Sequence, residues 1–396
     1  MRRSAAALLL LALSQEDLQK RRDALAPRLE ELRGLAFKTP LPIREGTRKE
    51  YAVFVLENAR RVYGEDLPAA ERGLKALGLL PPKLRLEVAL TAQAGIGVKA
   101  WCSHGELRLL DRSADGEWLV SKMDLGLIDQ HYAPAAPATF DARMALAALR
   151  MGDAEVAKLL FRHGGKLPGD LAKQVTEETA AWEREGSRLA SAVVPRIFVR
   201  TADFPWRRGA VFALSLHASG GVAALDKAFA SPPVSTRQIL HPDLYAKGLL
   251  PATIDLGGTL DLLRGKGYRA VYQTVMGELG CGLVLETHFP AEDLAAASAG
   301  WSGDSLAVLE KEEGLPLVAW ATEWETEDAA TAFQALAQKL GLKLASADPP
   351  LLAPVVRRKT SVVFLLNVPK DLKDVLLESA WASKRTRGKT VDTLGE

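Results

Sequence analysis

Leu315-Pro316-Leu317-Val318-Ala319-Trp320-Ala321-Thr322 and, downstream of it, Ser361-Val362-Val363-Phe364-Leu365-Leu366-Asn367 decide the fold. Both are apolar runs of strand length, rich in β-branched and aromatic residues and bounded by turn-forming clusters. Glu312-Glu313-Gly314 precedes the first, and Arg358-Lys359-Thr360 precedes the second. Each run has a partner across its turn, Leu306 to Leu309 and Ala353 to Arg357. Helical spacing fills the intervals at Glu327 to Leu340, with Thr326 as its N-cap, and at Asp371 to Trp381. The order β-β-α-β-β-α predicts an α+β fold with an antiparallel sheet and helices on one of its faces.

Working back from that sheet, the chain turns helical. Gln15 to Leu35 carries Leu, Arg and Glu at helical spacing, and Arg48 to Leu80 reads as two helices stopped by Gly78 and Pro81-Pro82. Residues 117–132 and Asp141 to His163 are helical, as are Ala180 to Gly220, with interruptions near Pro195 and Pro205, and Gly277 to Gly300. Glu106 to Asp111 alternates like a strand, and Pro232 to Tyr245 reads as a loop. No linker or repeat divides the chain. The reading is a mainly helical region, 15–300, continuous with an α+β region, 301–396, in one compact unit.

Residues 1–14 read as a signal peptide. Arg2 and Arg3 form a basic start, Ala5 to Leu13 an apolar segment, and Ala12 and Ser14 the small residues before a cleavage at Gln15. Export to the periplasm or the exterior follows, with no transmembrane segment after cleavage. The formal charge of +2 becomes zero without those two arginines. A neutral chain lacks the field that holds nucleic acid or an acidic membrane. The basic tail, Lys384, Arg385, Arg387 and Lys389, reads as a solvated terminus. Cys102 and Cys281 are too few for a disulfide framework and read as buried thiols, though one long-range bridge stays open.

The chain has six histidines, His104, His131, His163, His217, His241 and His288. No two are four residues apart and none precedes a glutamate, so the H-E-x-x-H of zinc hydrolysis is missing. Gly303-Asp304-Ser305-Leu306 spells the G-D-S-L of serine esterases, but no histidine follows His288 to serve as base. No Walker loop, dinucleotide fingerprint or Cys-x-x-Cys is present.

An ordered series of short motifs remains. Leu32-Arg33-Gly34-Leu35 with Phe37-Lys38-Thr39-Pro40 comes first, then Gly78-Leu79-Leu80-Pro81, Asp129-Gln130-His131-Tyr132 and Gly152-Asp153-Ala154. Pro232-Pro233-Val234-Ser235-Thr236-Arg237-Gln238-Ile239-Leu240-His241-Pro242 follows, then Gly300-Trp301-Ser302-Gly303-Asp304 and Trp324-Glu325-Thr326-Glu327-Asp328-Ala329. Together they resemble exported bacterial zincin-like metallopeptidases of the gluzincin type, a largely uncharacterised family, from about Leu32 to Leu376.

The resemblance implies where a zinc site would lie. In active relatives the stretch reads H-E-L-T-H-A-L-Q-D-Q-H-F. Anchored on Asp129 to Tyr132, the two zinc histidines fall on Ser121 and Leu125, and the catalytic glutamate on Lys122. The third ligand, the glutamate of E-G-D-A, falls on Met151. None of the four substitutes provides the chemistry of the residue it replaces. The resemblance therefore implies an inactive, zinc-free protein that binds a peptide or protein in the former cleft, beside Ile128, His131 and His241. Two alternatives stay open. One is a hydrolase working through other groups, Lys122, Asp124 and Asp129 among them; the other is a structural envelope protein.

Overall fold

The computed structural model describes residues 15–92, 97–192, 194–290, 294, 297, 299–348 and 350–386. The expected signal peptide and the tail residues Arg387 and Lys389 lie outside the described residues. Helix α1 (Gln15–Arg33) leads to strand β1 (Ile43–Glu45) and helices α2 (Arg48–Tyr63), α3 (Leu67–Ala76) and α4 (Leu86–Ala92). Strands β2 (Ala100–Ser103) and β3 (Glu106–Leu109) precede α5 (Gly116–His131) and α6 (Phe140–Arg162). Helix α7 (Leu171–Ala181) runs through a π-helical turn into α8 (Ser187–Ala190), and α9 (Arg196–Ala230) follows. Two short helices, α10 (Thr236–Leu240) and α11 (Pro242–Ala246), precede β4 (Thr253–Asp255), α12 (Gly257–Gly265), β5 (Arg269–Thr274) and α13 (Gly277–His288). The chain then forms β6 (Trp301–Glu310), β7 (Leu317–Trp324), α14 (Glu327–Leu344), β8 (Val355–Arg358) and β9 (Ser361–Leu366), and closes with α15 (Lys373–Ala382) and β10 (Lys384–Thr386).

Helix starts follow side-chain caps. The Asp115 carboxylate accepts the Trp118 amide at 2.9 Å to open α5, and the Thr326 hydroxyl accepts that of Ala329 at 3.1 Å to open α14.

The chain is α+β and divides into two compact units, each assembled from separate stretches. Of the described residues, the first takes 15–54, 97–133 and 154–168. Its sheet has the order β1-β3-β2, with β1 parallel and β2 antiparallel to β3. Helix α5 packs on β2 and against α1, over a core that includes Leu18, Leu29, Leu107, Leu119 and Leu127.

Of the described residues, the second takes 55–92, 134–153 and those from 169 to 386. Its sheet is antiparallel throughout, in the order β5-β6-β7-β9-β8. Helices cover both faces of this sheet, not one as the sequence pattern suggested. On one side Ala307, Leu309, Ala319, Val363 and Leu365 pack with Leu263 of α12 and Leu376 of α15. On the other, Phe333 of α14 meets Trp320 at 5.6 Å and Trp324 at 4.7 Å between ring centroids. Two covered faces explain why β7 and β9 are apolar almost without alternation.

Further differences from the sequence reading have local causes. Pro232 to Tyr245 is not a loop, because Ser235 caps α10 and Pro242 opens α11. Pro205 does not interrupt α9; the break comes at Gly221, whose φ of 64° only glycine adopts without cost. Length and composition alone would let α9 cross a membrane, yet its Phe204, Phe212, Leu225 and Phe229 are buried in the second unit. Lys384 and Arg385 are not a solvated tail: they form β10, antiparallel to β4. The Arg385 guanidinium donates to the Ala380, Trp381 and Ser383 carbonyls and pairs with Glu323. Cys102 and Cys281 are buried thiols that form no disulfide with each other.

Candidate functional site

Ser121, Lys122 and Leu125 stand on α5, whose residues from Leu119 to Ile128 are all buried. A helix apolar on only one side would expose part of that run, so α5 is a central helix of the first unit. Two charged residues fall inside it. Asp124 pairs with Arg33 of α1 at 3.1 Å, and both side chains are 0% exposed. Lys122 is 4% exposed, with its Nζ 5.5 Å from the centre of the Trp118 ring. Burial pushes its ammonium down to about 7, against the opposing pull of Glu155. The Ser121 Oγ is buried without a hydrogen-bond partner among the described residues.

Met151 lies on α6 in the stretch belonging to the second unit, and is half-buried. Its neighbour Gly152 has a packing role. A Cβ there would stand 2.1 Å from the Gly209 carbonyl oxygen, and one on Gly209 would stand 2.3 Å from that of Ala148. Helices α6 and α9 therefore cross with their backbones in contact, which requires both glycines.

A hydroxyl, an ammonium, an isobutyl group and a thioether do not fit zinc, which takes imidazole, thiolate and carboxylate donors. Among the described residues no group of three or more His, Cys, Asp or Glu side chains is placed to hold a metal ion. The charged groups of the hydrolase alternative are dispersed. Asp124 is engaged by Arg33, and Asp129 is exposed near the end of α5. Ile128 is fully buried. His131 Nε2 donates to the Ala36 carbonyl at 2.8 Å. His241 is 46% exposed and meets Glu278 at 2.9 Å, a hydrogen bond that raises its pKa.

The second unit contains a site that the motif reading touched only at its edges. A cavity of about 330 Å³ is lined by Val234, Leu250, Pro251, Ile254 and Val275 among others, with Asp141 and Asp304 also in its wall. Both carboxylates are 1% exposed. Asp304 comes from β6 and accepts four hydrogen bonds: the Met276 amide at 3.0 Å, the Gly277 amide at 2.9 Å, the Trp301 indole at 3.1 Å and the Trp320 indole at 3.0 Å. It thereby anchors the start of α13. Asp141, in the first turn of α6, accepts the Thr236 amide at 2.7 Å and the Thr236 hydroxyl at 2.5 Å, both on Oδ1. Thr236 Oγ1 in turn accepts the Leu279 amide at 3.2 Å.

Gly277 completes this knot. Its φ is 74°, and a Cβ on it would lie 1.8 Å from Asp141 Oδ1. Burial pushes the Asp141 carboxyl up to about 7, and Asp304 and Glu278 add to the shift. Burial likewise raises Asp304 to about 6, despite its four donors. The nearby Cys281 thiol is pushed well up by burial and by these acids, which makes it a poor nucleophile.

The Ser235-Thr236 and Gly300 to Asp304 motifs thus meet around one pair of carboxylates. Asp141 and Gly277 were not singled out in the sequence. The signal present was Asp304 itself, an aspartate three residues after Trp301 and just ahead of the apolar run Leu306 to Leu309. A family described only as a domain of unknown function, DUF8575, matches residues 266–365, which span β5 to β9. No curated protein matches the chain, and no solved structure does.

Proposed function

We propose that this chain is an exported, metallopeptidase-like protein that does not hydrolyse peptides and acts by binding a peptide or protein. Lys122 carries the reading. At the position the resemblance assigns to the catalytic glutamate stands a buried lysine, on one helix with Ser121 and Leu125 at the positions of two ligands. Lys122 supplies no carboxylate to hold and activate a zinc-bound water, and in its charged form it repels a divalent cation. Asp124, the nearest carboxylate in sequence, is occupied by Arg33.

The test uses purified protein offered zinc. The expected result is no stoichiometric zinc and no cleavage of unfolded casein. Stoichiometric zinc, with cleavage that a chelator blocks, would contradict the proposal. For the binding role, a partner captured from envelope extracts by the wild type should be lost on Met151→Arg. Capture of the same partner, undiminished by that change, counts against the assigned cleft.

A further inference from the structure

We propose that the cavity in the second unit binds a small primary ammonium carried on a compact apolar body, with Asp141 receiving its N–H groups. The proposal is independent of the lost zinc site. It rests on the lining of the cavity and on an unused acceptor. The wall is mostly aliphatic, through Val234, Leu250, Pro251, Ile254 and Val275. At about 330 Å³ the cavity stands at the small end of ligand pockets, which begin near roughly 300 Å³.

The polar groups are unevenly satisfied. Asp304 uses both oxygens on its four donors. Asp141 spends only Oδ1, on Thr236; its Oδ2 receives no hydrogen bond from any described residue. No Lys, Arg or His among the described residues lies within ion-pair distance of either carboxylate. A buried carboxylate with an open oxygen and no counter-charge is costly, and a ligand that supplies both a charge and donors relieves that cost. An ammonium supplies one positive charge and three donors.

Asp304 and Glu278 act on Asp141 as further negative charges, which favours a cation over a neutral donor. A hard divalent cation fits poorly. It needs six or more oxygen ligands, whereas Asp304 is already committed.

The experiment is an NMR titration of the full chain at about pH 8, above the range in which Asp141 holds its proton. The Trp301 and Trp320 indole N–H signals report, because both donate to Asp304 in the cavity wall. The probes are n-butylammonium chloride and its neutral isostere 1-butanol, at matched ionic strength. The expected result is a saturable shift with the ammonium and binding at least about tenfold weaker for the alcohol. Asp141→Asn, which keeps an acceptor for Thr236, should weaken the ammonium by about tenfold or more. Val234→Trp, which fills the cavity from its exposed rim, should abolish the shift. Equal affinity for the alcohol, a shift reproduced by sodium chloride, or undiminished binding to folded Asp141→Asn would overturn the proposal.

Discussion

The first unit and the second bury charge by different means. In the first, Arg33 and Asp124 meet at 3.1 Å with both side chains fully enclosed, while Lys122 lies over the face of Trp118 and feels the charge of Glu155. In the second, Asp141 and Asp304 meet no cation among the described residues and rest on amides, indoles and a hydroxyl. An ion pair recovers its desolvation cost only while both partners are present. A carboxylate held at helix starts depends on many weaker donors, and it in turn fixes the elements that supply them. The first unit should therefore fail through loss of one partner, and the second through release of several donors at once.

The largest expected effect follows from Asp304→Ala. Two amides and two indoles lose their acceptor inside the core, at about 1–3 kcal/mol for each orphaned donor. A loss of about 5 kcal/mol, read by urea unfolding, would place α13 and β6 under common control. A loss under about 1 kcal/mol would mean that water or repacking replaces the carboxylate.

Arg33→Ala should cost about 3–5 kcal/mol by removing the guanidinium that faces the buried Asp124 carboxylate. The paired change Arg33→Met with Asp124→Leu should recover most of that loss. Additive losses in the double variant would break the contrast between the units.

The pH dependence separates the units more finely. Asp141 and Asp304 have folded-state pKa values above their unfolded values, so the native state holds more protons between about pH 4 and pH 7. Their contribution to stability is greatest at low pH and falls as pH rises through that window, opposite to an ion-paired carboxylate. Lys122 has a folded-state pKa lowered to about 7, so the unfolded chain holds more protons above it. Its contribution rises from about pH 7 to about pH 10. Asp141→Asn should flatten only the acidic limb of a stability profile and Lys122→Met only the alkaline limb. A single substitution that changes both limbs would contradict the assignment.

The strands of the last hundred residues were legible because Leu317 to Thr322 and Ser361 to Leu366 are strand-length apolar runs between turn residues. The sequence reading placed helices on one face of that sheet only, although the packing covers both, because strand apolarity alone does not say which helix lies on which side. Strand β5 escaped notice because it is an edge strand with a single buried residue, Thr274, and a bulge between Ala270 and Tyr272. Strand β10 is three residues long, and its backbone pairing with β4 leaves no periodic pattern. In the site, Ser121, Lys122 and Leu125 were reached only through the resemblance anchored on Asp129 to Tyr132, and they do stand on one helix. The Asp141–Thr236–Gly277–Asp304 knot was not, because it joins four stretches distant in sequence and depends on backbone amides that no side-chain pattern reports.

Restoration tests the lineage most directly. Ser121→His, Lys122→Glu, Leu125→His and Met151→Glu together would rebuild the two histidines, the general base and the third ligand that the resemblance assigns to these positions. A variant that keeps the near-ultraviolet circular dichroism of the wild type should bind one zinc per chain in a calorimetric titration, while the wild type binds none. A folded quadruple variant that takes up no zinc would contradict the assignment of these four positions to one ancestral metal centre.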